Sequence, residues 1–315
     1  MSEQLTSKDG RTVLRMERAL AHPPEKVWRA LTEPTELAGW FPAAVELDLR
    51  LDGRIEFTFE EGEDDFVEDP DNTGVIRAYD PPRLLEYNWG AEIQRWELTP
   101  TDAGCLLTLT ATYDDRPGSA SFTAGWTMCF DALDRVLGGG QVPARDYAEL
   151  HEHFVHVYGL EEGVLLDDGS IRFERQLTAP KEDVWTRLTG AIPLEPLPAD
   201  GKAAAPRPDE SNAAAPRPDE GNAAAPRPGD RAAAPTPPPG FVAKGIEAGA
   251  VRSVEPPVEL SYEWQHGLVT WRLRDGNGGA RLVLTQTGPS EQYLAPWQDL
   301  IETLAADLAA QPHKD

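Results

Sequence analysis

Thiols, positive charge and long apolar runs are all scarce in this chain. Only two cysteines occur among 315 residues, Cys105 and Cys129, and neither stands in a C-x-x-C pair or a His/Cys cluster. That excludes a disulfide framework and a cysteine-based metal site, and leaves two core thiols in a reducing compartment. Basic residues number 29 against 54 acidic ones, a net charge of −25. A chain so charged repels phosphate backbones and anionic lipid surfaces, so neither nucleic acid nor membrane is expected as a partner. No apolar run reaches the roughly 18 residues of a membrane span, and the N-terminal MSEQLTSKDGR lacks a hydrophobic signal core. A soluble, cytoplasmic protein is expected. Catalytic signatures are missing too: there is no G-x-S-x-G elbow, no glycine-rich phosphate loop, and no cysteine that a motif sets near a histidine. No catalytic residue, metal or cofactor is therefore assigned.

What the chain does have is a repeat of itself. Residues 15–32 laid over 172–189 give ten identities in eighteen positions, where chance gives about one. A second window, 74–110 over 249–285, repeats Gly74/Gly249, Arg77/Arg252, Pro81-Pro82/Pro256-Pro257, Tyr87/Tyr262, Trp89/Trp264, Trp96/Trp271 and Leu109/Leu284. Two copies of roughly 150 residues fit a two-domain length.

In the first copy, 12–20 reads as the first strand, and Pro23-Pro24 opens a helix carrying Val27, Trp28 and Leu31. Pro34 begins a short second helix. Residues 45–51 and 54–60 alternate apolar and polar around Asp52-Gly53 and predict a hairpin. Strands follow at 73–79, 83–90, 92–99 and 104–113, with Leu85, Tyr87, Trp89, Trp96, Leu98, Leu107 and Leu109 on the core face. A helix over about 121–137 presents Phe122, Trp126, Cys129, Phe130, Leu133 and Leu137 as one stripe. Its counterpart runs over about 290–310. Strands and flanking helices in this order make an α+β fold.

The second copy replaces the hairpin with AAAPRPDESN, AAAPRPDEGN, AAAPRPGDR and AAAPTPPPG, a low-complexity stretch read as a disordered linker over 195–240. About five strands then stand where the first copy has about seven, and any pocket there is expected to be shallower or open. Residues 143–159 predict a connecting helix with Leu150, Phe154, Val157 and Tyr158 on its apolar face.

Several segments in order carry a family signature. They are Glu17-Arg18 with Leu20, Pro23 to Trp28, Trp40-Phe41, Asp52-Gly53, Asp80 to Trp89, Trp96 to Pro100, and Gly125-Trp126. Together they resemble the activator-of-heat-shock-ATPase homologue (AHSA-type) branch of the START-like, or SRPBCC, superfamily. The resemblance covers 12–138 throughout, and the second copy over 170–189 and 249–308. It implies two helix-grip domains, each an antiparallel sheet curled around a long C-terminal helix, with a hydrophobic cavity between them. The expected organisation is a complete domain at 1–142, a connecting helix at 143–165, and a second domain, reduced by about two strands, at 166–194 and 241–312. Such a fold does not fix one function.

The candidate ligand-binding residues are Trp40, Phe57, Phe59, Tyr87, Trp89, Trp96, Trp126 and Phe130 on the inner face of the first copy. Core packing is the plainer reading for those that both copies share, whereas Trp40, Phe57 and Phe59 have no counterpart in the second copy. The acidic run Glu60 to Asp71 leads into a stretch resembling a calcium loop, with Asp69, Asp71, Thr73, Gly74, Ile76 and Asp80 at ligand-like positions. Its last part belongs to a strand, so a solvated acidic hairpin tip is the stronger reading. Glu149, His153 and His156 share a helix face without metal-binding spacing. Arg18, Arg77 or Glu86 would supply polar groups to a cyclase or hydrolase site. The leading expectation is a non-enzymatic protein binding a small hydrophobic or aromatic molecule in its first domain. A co-chaperone-like module that regulates a chaperone ATPase is the alternative, and a cyclase or hydrolase the third.

Overall fold

The structure is a computed structural model and describes residues 2–59, 72–139, 141–190 and 235–310. The first domain holds β1 (Ser2–Lys8), β2 (Arg11–Leu20), α1 (Pro24–Thr32), α2 (Pro34–Leu37), β3 (Ala44–Leu47), β4 (Arg54–Thr58), β5 (Thr73–Asp80), β6 (Leu84–Trp89), β7 (Glu92–Thr101), β8 (Gly104–Tyr113) and α3 (Ser119–Gly138). Its strands form one eight-stranded antiparallel sheet in the order β1-β2-β8-β7-β6-β5-β4-β3. A connecting helix, α4 (Tyr147–Tyr158), leads to β9 (Val164–Leu165), β10 (Ile171–Gln176), α5 (Lys181–Thr189), a 3-10 turn at Pro239–Phe241, β11 (Ala248–Glu255), β12 (Glu259–Trp264), β13 (Gly267–Gly276), β14 (Gly279–Gln286) and α6 (Leu294–Ala309). The second sheet has six strands, ordered β11-β12-β13-β14-β10-β9. The fold is α+β, a tandem of helix-grip domains of which the second is reduced.

One cross-strand row explains both cores. In the first sheet Met16, Leu109, Trp96 and Leu85 pair directly from strand to strand. In the second, Phe173, Leu284, Trp271 and Leu260 do the same at the repeat-equivalent positions. All eight side chains are buried. Period-two alternation puts them on one face, and a helix covers that face in each domain: Trp126, Phe130, Leu133 and Leu137 from α3, and Trp297, Ile301, Leu304 and Leu308 from α6. Each large side chain so buried contributes about 1.5–3 kcal/mol. Helix α1 starts with Pro24 in its first turn and carries Glu25 at its N-terminal end and Arg29 at its C-terminal end, matching the helix dipole. It stops at Glu33, held extended by the proline that follows.

The structure corrects four expectations. Strand β1 precedes the strand read as the first, so the sheet has eight strands rather than seven; β1 is a polar edge that turns into β2 through Asp9 (φ 53°) and Gly10 (φ 81°). The hairpin strand expected over 45–51 ends at Leu47, because the turn begins at Asp48, whose carbonyl accepts from Arg50 N at 2.7 Å. The second sheet gains the two-residue β9. On α4 the buried face is Ala148, His151, Phe154 and Val155, while Val157 is 53% exposed. Phe154 and Val155 pack with Ala120 and Ala124 of α3. The acidic run Glu60 to Asp71, with the calcium-like positions Asp69 and Asp71, lies outside the described residues, and so does residue range 195–234 of the expected linker.

Candidate functional site

The C-terminal turn of α2 delivers two aromatic side chains into the first domain. Trp40 N and Phe41 N both bond to Leu37 O, at 3.0 and 2.9 Å, and the Trp40 indole N–H donates to Ala30 O of α1 at 2.8 Å. Trp40 then lies edge-on to Trp96 at 5.8 Å and 77°. Trp96 is closed from behind by Trp126 at 5.4 Å and Phe130 at 6.1 Å, both from α3. Beside this cluster stand four rings close to parallel. Phe57 stacks on Trp89 at 4.1 Å and 12°, Phe59 lies 5.7 Å and 23° from Trp89, and Phe41 lies 6.0 Å from both Phe57 and Trp89. Phe59 and Trp89 are half-buried at the rim, and Phe41 and Phe57 are buried.

Between these rings and the hairpin remains a cavity of about 10 Å³. That is room for about one water, against the several hundred cubic ångströms of an ordinary ligand pocket. Trp40, Phe57, Tyr87 and Trp96 line it, together with Phe41, which directly follows Trp40 in the family signature and is not among the candidate ligand-binding residues. Trp126 and Phe130 belong to the same apolar cluster without lining the cavity, and Phe59 and Trp89 pack against that cluster. A guest therefore enters only by displacing aromatic side chains.

Inside this wall sits a short chain of neutral polar groups. The Tyr87 hydroxyl donates to Gln94 Oε1 at 3.1 Å, and the Trp96 indole N–H donates to the Tyr87 oxygen at 3.1 Å. Burial pushes the Tyr87 hydroxyl well above its ordinary pKa, so it acts as a donor and not as a base at neutral pH. Arg18 is turned to α3, where it pairs with Asp131 at 3.0 Å and with Asp134. Arg77 and Arg95 share Glu86 at 3.7 and 2.9 Å. None of these charged groups lines the cavity.

The second domain treats the same place differently. Its expected shallow or open pocket is instead filled by Phe241, which is fully buried and lies edge-on to Trp271 at 5.4 Å and to Trp185 at 5.3 Å. Gly240 makes that entry feasible, because a Cβ there would stand 2.3 Å from Leu188 O. On the outer face of the second sheet lies an open hollow of about 330 Å³ around Val258 and Val283, rimmed by Arg172, Arg272 and Arg274. Of the connecting-helix residues, Glu149, His153 and His156 are exposed, and His156 lies 3.1 Å from Glu161. Among the described residues no group of three His, Cys, Asp or Glu side chains could hold a metal ion, and no helix is long and apolar enough to cross a membrane.

Residues 21–138 match the family model described as Activator of Hsp90 ATPase homolog 1-like protein. No curated protein matches the chain. Among solved structures, the conserved protein of unknown function EF2215 from Enterococcus faecalis is 20% identical, over 50% of this chain and 90% of its own, with a TM-score of 0.43. CalU16 from Micromonospora echinospora is 20% identical over 50% of this chain and 94% of its own, with a TM-score of 0.38. Protein MLL2253 from Mesorhizobium loti is 24% identical over 41% of this chain and 98% of its own, with a TM-score of 0.35.

Proposed function

We propose that this chain, whose first domain belongs to the Activator of Hsp90 ATPase homolog 1-like family, is a non-catalytic binding protein whose first domain takes a small, flat apolar or aromatic molecule. The fold is that of ligand-binding and co-chaperone-type modules in general. The observation that carries the finer reading is the contrast between the two copies. The second domain has its centre filled by its own Phe241, whereas the first keeps a small cavity beside a stack of near-parallel rings, Phe41, Phe57, Phe59 and Trp89. A planar guest that displaces one of these rings regains the same stacking, about 0.5–1.5 kcal/mol per ring pair beyond the area it buries. Polar groups at the cavity are neutral donors, and among the described residues no nucleophile and base face each other there, which supports binding over turnover.

Native mass spectrometry of the freshly purified protein, set against its denatured mass, tests this. A bound molecule of a few hundred daltons is expected, together with a change in tryptophan emission when aromatic probes are titrated. A clean apo mass with flat titrations refutes it. A second reading, a co-chaperone-like module acting on a chaperone ATPase, is favoured by how little free volume the first domain contains. Stimulated ATP turnover by a captured chaperone, with no small ligand found, would decide for it.

A further inference from the structure

The two domains bury the same pair of neutral donors, and the second displays what the pair receives. There the Tyr262 hydroxyl at 2.7 Å and the Trp271 indole N–H at 3.0 Å both donate to one acceptor, the backbone carbonyl of Phe241. The ring next to that carbonyl lies edge-on to Trp271 at 86°. The second domain thus holds, as part of its own chain, an aromatic group bearing a carbonyl oxygen.

In the first domain Tyr87 and Trp96 occupy the equivalent positions, and both line the cavity. Trp40 supplies a ring edge-on to Trp96 much as Phe241 does to Trp271. The pair shares no acceptor there: the Tyr87 hydroxyl donates to the side chain of Gln94 at 3.1 Å, where the second domain has Val269, and the Trp96 indole N–H donates to the Tyr87 oxygen at 3.1 Å. An acceptor fixed in the main chain in one domain is, in the other, the end of a side chain with rotatable bonds. The described lining residues include no cation, so among them a carboxylate would be buried without a counter-charge.

We infer that the first domain's site selects an uncharged aromatic ligand bearing a carbonyl oxygen, which displaces Gln94 and accepts from Tyr87 Oη and Trp96 Nε1. This rests on the ligand-binding reading of that domain. Two probes of nearly equal shape test it by isothermal titration calorimetry on the full chain: acetophenone, which has the carbonyl, and ethylbenzene, which lacks it. Acetophenone is expected to bind about tenfold more tightly or better, as two buried hydrogen bonds would give. Tyr87→Phe should shrink the preference to what the Trp96 indole N–H alone sustains, and Tyr262→Phe, the same change in the other domain, should leave the preference in place. Gln94→Val, which installs the second domain's residue, should raise acetophenone affinity by removing the competing acceptor. Equal affinity for both probes, or a preference that Tyr87→Phe leaves undiminished, overturns carbonyl selection while leaving the apolar site standing. Failure of both probes to bind overturns the ligand-binding reading itself.

Discussion

Arg281 of β14 and Asp115, which precedes α3, stand 166 residues apart and meet in a two-pronged ion pair, Nη1 to Oδ1 at 2.7 Å and Nη2 to Oδ2 at 2.6 Å. The guanidinium is fully buried, and Gln176 Oε1 accepts from its Nε at 2.9 Å. This pair ties the first domain to the second sheet. Its two ends are unequal, because the Asp115 side chain retains 21% of its exposure. Removing the Asp115 carboxylate takes the two-pronged partner from a buried cation and leaves it the longer Glu174 contact at 3.4 Å, whereas removing the cation leaves a carboxylate that water still reaches. Asp115→Ala should therefore cost about 3 kcal/mol or more, and Arg281→Met clearly less. Urea unfolding followed by circular dichroism reads both; equal losses would refute the asymmetry.

Phe241 is held by its neighbours more than by its own segment. Its backbone makes short local bonds, Phe241 N to Pro238 O at 3.0 Å and Val242 N to Pro239 O at 3.1 Å. The ring is buried among Trp185 and Trp271. Phe241→Ala should destabilise the second domain by about 3–5 kcal/mol through lost transfer energy and the cavity left behind. Gly240→Ala should also destabilise it, since the carbonyl of Leu188 is main chain and cannot swing aside. Calorimetry would record a lowered transition for the second domain; an unchanged one would mean that Phe241 is not what fills it.

Residue pattern made the sheets legible and concealed what lies between them. The row of Leu85, Trp96 and Leu109 follows from period-two alternation, and the repeat carries it to Leu260, Trp271 and Leu284. Strand β1 escaped because Leu5 is the one apolar residue in SEQLTSK, so its inward face carries no apolar alternation to read. Phe241 stood at the end of a proline-rich run, and only contacts with Tyr262 and Trp271, far along the chain, bury it. Arg175 and Arg281 are buried charges that no local periodicity signals, because their carboxylate partners, Glu152 and Asp115, stand far off along the chain. Of the candidate site, the shared aromatics were visible, and Phe41 was signalled only by standing next to Trp40.

Both thiols should be inert in the folded protein. Cys105 is fully buried, and burial raises its pKa, with Glu25 adding to the effect. Cys129 is half-buried on α3, and burial pushes its thiol up to about 12. Thiolate is the reactive form, so a disulfide reagent at pH 8 should label neither within minutes and both in guanidinium. Rapid labelling of one thiol in the native protein would show that its face of the helix opens.

Glu152 on α4 links that helix to the second domain through acid-sensitive contacts. Burial disfavours its charge, but a hydrogen bond with His151, at 3.2 Å, and the Arg175 guanidinium outweigh this and lower its pKa below the ordinary 4.5. A carboxylate with a depressed folded-state pKa stabilises the protein fully above its unfolded pKa, and that contribution disappears as pH falls through the folded value. Arg175 is itself buried, with Nε and Nη1 lacking partners among the described residues, so Glu152 is its principal counter-charge there. Glu152→Gln should cost about 2–3 kcal/mol at pH 7, the worth of hydrogen bonds to charged groups. As pH is lowered below about 4.5 the wild-type carboxyl takes up a proton and comes to resemble the amide, so the gap between the two proteins should close. Urea unfolding at pH 7, 5, 4 and 3.5 measures that gap directly. A difference that stays constant over the series would mean that Glu152 contributes shape rather than charge.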